Sequence, residues 1–146
     1  MTGGVGVLFI LAFIGLIPFA IGGFMNFFML SHPETLPPYA LIGIVTLLAW
    51  ALIAFIAKPF VKDTKKLLIA FNLPAFAVLI LLCVQELVFK SYWQNALGLW
   101  TQLYYLPLIN ISTRLTMWSS RLFVVYCAAF LLLLAASFLG CKLRKN

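Results

Sequence analysis

Hydrophobic positions fall in four long blocks along the chain, separated by short polar punctuation. The blocks run from Gly4 to Leu30, Ala40 to Ala57, Leu67 to Phe89 and Ser119 to Gly140. A bilayer-spanning helix needs about 20 apolar residues, commonly roughly 17–25, and each block is long enough. Within lipid the backbone must bond to itself, so each block predicts a helix. The blocks are continuous rather than alternating, which argues against a β-barrel. The expected fold is an all-α integral membrane protein, with four transmembrane helices in one domain over residues 1–146. Pro37-Pro38, Lys58-Pro59, Lys65-Lys66 and Lys90 mark block edges. The first block lacks a basic leader and exceeds the apolar core of a signal peptide, about 7–15 residues. It reads as a retained anchor.

The longest stretch outside the blocks, Lys90 to Trp118, carries its own pattern. Trp93, Ala96, Leu97, Trp100, Leu103 and Tyr104 recur at helical spacing, the stripe of an amphipathic helix. Gln94, Asn95, Gly98, Thr101, Gln102 and Tyr105 fall on the opposite face, and Pro107 ends the pattern. Trp93, Trp100 and Tyr104 suit the headgroup level, where one end of a ring is apolar and the other wet. This predicts an amphipathic interfacial helix between the third and fourth spans, lying on the membrane surface or folded over the bundle as a lid. One reading makes it a cover or a docking face; the plainer one makes it an anchor. Its polar face has no Lys or Arg, so attraction to charged lipid does not hold it there.

Charge sets the orientation. Lys58, Lys62, Lys65, Lys66, Lys142, Arg144 and Lys145 share one side of a four-span chain, against Lys90, Arg114 and Arg121 on the other. Cytoplasmic loops carry the excess of Lys and Arg, so both termini are expected in the cytoplasm and the Lys90–Trp118 stretch outside. The expected location is a plasma or bacterial inner membrane. The net charge of +7 therefore reflects topology rather than a nucleic-acid surface. Composition agrees: 65% of the 146 residues are hydrophobic and 9% charged, whereas soluble domains run near ~45–50% and ~25%.

Ionisable groups at membrane depth are functional candidates by default. Glu86 is the one acidic residue in any block. It stands one turn from the outer end of the third span, and Arg121 one turn inside the fourth. The two are placed to pair across helices, and Lys90 offers Glu86 an alternative partner four residues on. Glu86 with Gln85 reads either as a proton- or cation-coupled site or as a structural ion pair near the interface. Asn72 with Pro74 is a second candidate, because Pro74 frees the Ala70 carbonyl. Such a break exposes carbonyls to a ligand or is a kink satisfied by neighbours. Pro18 and Gly22-Gly23 break the first span similarly. Asn26 is placed to hydrogen-bond across the bundle, and Ala136 with Gly140 forms a small-residue pair for helix packing.

Little else in the chain suggests chemistry. His32 is the only histidine, so two-histidine haem ligation within one chain is excluded. No cluster has zinc or iron spacing, and neither cofactor nor metal is expected. His32 with Glu34 is the one visible base–acid pair. Cys83 and Cys127 read as inert buried thiols. Cys141, beside basic residues, reads as an ordinary thiol at a helix end, with acylation the alternative. Asn110-Ile111-Ser112 matches the glycosylation sequon but lies near the fourth span and is discounted. Three functions are carried forward. The first is a non-enzymatic accessory, assembly or immunity-type partner, bound to another membrane protein or to itself. The second is a small oligomeric transporter or channel using Glu86, Asn72 and Arg121. The third is a lipid-modifying enzyme.

Overall fold

The computed structural model describes residues 3–61 and 63–144. All regular structure among them is helical. Helix α1 (Gly3–Ile14) and α2 (Ile17–Ser31) form one kinked rod. Next come α3 (Tyr39–Ala57), α4 (Thr64–Cys83), α5 (Ala96–Tyr105), α6 (Ile109–Leu115) and α7 (Leu122–Leu143). Four helical stretches are long and apolar enough to cross a membrane: Gly6–Ser31, Tyr39–Phe60, Thr64–Val88 and Leu122–Leu143. The shortest, at 22 residues, extends about 33 Å at 1.5 Å per residue, against a hydrocarbon thickness of about 30 Å.

The edges of these stretches follow local capping chemistry. Asp63 caps α4, its carboxylate accepting from the N–H groups of Lys65 and Lys66 at 2.9 and 3.4 Å. The third stretch therefore starts three residues before the hydropathy edge. Lys65 and Lys66 oppose the helix dipole there, a placement that suits topology rather than helix stability. Arg121 is the exposed N-cap residue of α7, not a residue one turn inside it. Lys62 and Lys145 lie outside the described residues.

The first rod kinks at Gly15-Leu16. Pro18 follows at the start of α2 and offers no N–H to close the turn. The kink packs on the proline turn of α4: a Cβ on Gly15 would lie 2.6 Å from the Phe71 carbonyl oxygen and 3.0 Å from Pro74. Helix α4 stays continuous through Pro74.

Helices α3 and α7 form the main seam. Gly140 lies directly on the backbone of Ala51, where a Cβ would overlap the carbonyl. Ala136 is buried on α7 one turn earlier. Cys141 is also buried, its thiol 4.0 Å from the Ala54 carbonyl, which removes it from an acylating enzyme's reach. At the same end, the Arg144 guanidinium sits 5.0 Å over the Phe55 ring. The interior is filled by Trp50, Phe71, Leu67, Leu82 and Leu133, with Trp50 stacked on Phe71 at 4.3 Å. Large apolar side chains such as Phe9, Phe13, Leu48 and Ile69 point outward. That arrangement suits lipid as the surrounding solvent.

The α5–α6 segment is packed among the spans. Helix α5 lies against α2, with the Leu103 backbone on Gly22 and the Trp100 ring 3.7 Å from where a Gly23 Cβ would stand. After the 3₁₀ turn Leu106–Leu108, α6 returns against α3 and α7, with Ile111 on Gly43. A helix does stand between the third and fourth long stretches, α5, and it ends before Pro107. Its buried face differs from the sequence stripe. Gly98, Thr101 and Tyr105, expected on the polar face, are buried together with Leu103 and Tyr104. Leu97 and Trp100 from the apolar stripe are 52% and 49% exposed. Trp93 precedes the helix. The rotation has a physical reason: Gly98 and Thr101 allow close approach, and both tyrosine hydroxyls find carbonyl acceptors inside the bundle.

Candidate functional site

Two polar knots join the helices. The first centres on Asn72, which is buried. Its amide donates to the Leu68 carbonyl and to the Ser137 hydroxyl, each at 3.0 Å, while its oxygen accepts from the Trp50 indole at 3.3 Å. Ser137 in turn donates toward its own helix, to the Leu133 carbonyl at 3.0 Å. One side chain thus links α3, α4 and α7.

The second knot lies at the opposite end of α4, where the helix widens into a π-turn over Val84–Val88. Such turns insert an extra residue and redirect the side chains beside it. Gln85 is fully buried and faces α5. Its amide donates to the Thr101 hydroxyl at 3.1 Å, and its oxygen accepts from the Trp93 N–H at 3.0 Å. Glu86 faces α7. Its carboxylate accepts from the Phe123 N–H at 2.7 Å and from the Tyr92 hydroxyl.

Helix α7 has no side-chain cap of its own, and Phe123 carries one of the orphan N–H groups of its first turn. Glu86 therefore caps α7 from a neighbouring helix, with its negative charge at the positive end of the dipole. It pairs with neither Arg121 nor Lys90 among the described residues. Lys90 instead adopts a left-handed conformation, φ 53°, that ends the third span. Burial, followed by the hydrogen bond to Glu86, pushes the Tyr92 phenol well above its ordinary value.

Two tyrosines extend this knot inward. The Tyr104 hydroxyl donates to the Gly15 carbonyl at 2.7 Å, and the Tyr105 hydroxyl to the Ala75 carbonyl at 2.6 Å. The kink frees the first acceptor, because the Phe19 N–H bonds to Leu16 instead. Buried carbonyls without partners are costly, so the Tyr104 phenol satisfies the break in the first rod, while Tyr105 ties α5 to a carbonyl inside the continuous helix α4. The sequence pattern puts Tyr105 on the outward polar face and gives no sign of its bond to Ala75.

The same end carries the outward-facing features. An open hollow of about 540 Å³ is lined by Tyr92, Trp93, Gln94, Asn95, Leu99 and Gln102, among others. Beside α6, Met117 and Trp118 are both left-handed at φ 50° and 58° and strongly exposed, at 89% and 72%. Left-handed conformations in bulky residues persist only where surrounding structure holds them. Here the Trp118 N–H bonds to the Thr113 carbonyl at 2.8 Å.

The remaining candidates stay apart from this site. His32 stacks on Phe28 at 4.9 Å between ring centres, and Glu34 lies in the exposed loop beyond. Asn26 is half-buried with no hydrogen bond among the described residues. Asn110 has its amide oxygen buried without a partner, as has the Ser112 hydroxyl, so the sequon is not displayed on the surface. Among the described residues no group of three metal-ligating side chains is gathered. No family model, curated protein or solved structure matches this chain.

Proposed function

We propose that this chain is a multi-pass protein of a plasma or bacterial inner membrane, with both termini cytoplasmic, and that it serves as a non-enzymatic partner of a larger membrane assembly. In this reading the α5–α6 segment enters the bundle from the outer side and presents the hollow and the Met117-Trp118 tip to a partner. The Lys and Arg excess near the termini supports the orientation.

The observation that carries the reading is what Glu86 does. The one acidic side chain in a membrane-capable stretch has its carboxylate committed to capping α7 and holding Tyr92. Asn72 and Gln85 are likewise committed to neighbouring helices. The polar groups a transporter would use serve here as joints. A binding scaffold needs rigidity inside and a displayed surface outside.

The test is capture of the tagged chain in gentle detergent, with the intact complex weighed. A larger membrane protein at fixed stoichiometry supports the reading. That complex should be lost on Trp93→Ser or Trp100→Ser and kept on Glu86→Gln. A homo-oligomer alone, with ion flux in vesicles abolished by Glu86→Gln, would overturn it in favour of transport.

A further inference from the structure

Cys83 and Cys127 belong to neither polar knot, yet three contacts between α4 and α7 bring them together. Asn72 meets Ser137 at 3.0 Å, the Phe76 ring lies 5.8 Å from that of Phe130, and Glu86 meets the Phe123 N–H at 2.7 Å. Residue numbers rise on α4 as they fall on α7, so the helices run antiparallel in a fixed register. Cys83 lies three residues before Glu86, and Cys127 four residues after Phe123. Each step is one helical turn along the same face. The two thiols therefore stand at one level of the seam.

Their surroundings differ from those of an inert core thiol. Both are half-buried, packed on one side against the core. Ile80 and Leu131, one turn from Cys83 and Cys127 respectively, are 46% and 59% exposed, so this face opens to the apolar exterior. Cys141 is buried near the other end of α7, which leaves a single pair within reach.

We propose that Cys83 and Cys127 form a redox-active dithiol that closes to a disulfide between α4 and α7, with a lipid-soluble quinone as oxidant. Two S–H bonds break and one S–S bond forms. The two electrons and two protons pass to the quinone, which becomes a hydroquinone. The bond locks both ends of the 84–126 stretch, so oxidation fixes the inserted α5–α6 segment in place. Thiol reduction releases it.

The experiment uses the full chain in lipid vesicles containing a fully substituted quinone, whose ring has no free position to add a thiol. After exposure the protein is denatured, treated with N-ethylmaleimide and weighed intact. Reduced protein should take up three maleimides. Oxidised protein should take up one and be lighter by two hydrogens, and dithiothreitol should restore three. Cys83→Ala and Cys127→Ala should each take up two with or without quinone. Three maleimides on the oxidised wild type would overturn the proposal. So would protection that involves Cys141, or a disulfide between two chains.

Discussion

At the end carrying the termini the spans touch one another directly; at the opposite end a piece of the chain is wedged between them. Both ends use glycine to bring backbones into contact, Gly140 on Ala51 and Gly22 on Leu103. They differ in what accompanies that contact. The first end has the neutral Asn72 knot, joining three spans. The second has a charged cap, a buried amide and two phenols, all serving α5 or the start of α7. The seam of spans is made from shape. The inserted segment is held by hydrogen bonds to the kink at Gly15, to the π-turn at Gln85 and to the Ala75 carbonyl of α4.

The sharpest way to separate the two ends is to put a side chain where each has none. Gly140→Val should pry α3 from α7, and Gly22→Val should expel α5. Overpacking of this kind costs about 1–3 kcal/mol and occasionally more. Melting in detergent should show the larger loss for Gly140→Val. Limited proteolysis should show new cuts within residues 90–121 for Gly22→Val, with the spans still protected. Equal effects at both ends in both assays would erase the distinction.

Next in size is Gln85→Leu, which strands the Trp93 N–H and removes the donor to Thr101. Leaving a buried group without its partner costs about 1–3 kcal/mol. Hydrogen exchange at Trp93 should accelerate while amides around Asn72 stay slow. Glu86 comes after it. Loss of a cap costs about 1 kcal/mol, so Glu86→Ala should lower the melting temperature. Glu86→Gln keeps an acceptor and should lose only the charge–dipole part, about 0.3–1 kcal/mol.

The smallest effect concerns pH. The Tyr92 phenol is raised when folded, so its contribution is fully present below the unfolded phenol value, about 10. It is lost as pH climbs from there toward the folded value. Stability should fall in alkali, and Tyr92→Phe should flatten that fall in a pH series of melts.

The four long apolar helices were legible because hydropathy over twenty residues leaves few alternatives. Their edges were not, because Asp63 and Arg121 take cap positions that depend on backbone geometry. The existence of α5 and its end at Pro107 were readable from periodicity. Its buried face was not, since Tyr105 and Thr101 count as polar until their partners are known. Tyr105 donates to the Ala75 carbonyl and Thr101 accepts from the Gln85 amide, both outside α5. For the same reason Glu86 was matched with Arg121. A sequence displays charged side chains, whereas the true partner is the backbone N–H of Phe123.

The bond from Tyr104 to Gly15 joins residues 89 apart, and that separation is also an interval of time. Synthesis at about 5–20 residues per second leaves the kinked first rod waiting roughly 4–18 s for its phenol. Throughout that interval the Gly15 carbonyl lacks its final partner, so a provisional donor, from water or from another membrane protein, has a defined period in which to hold it.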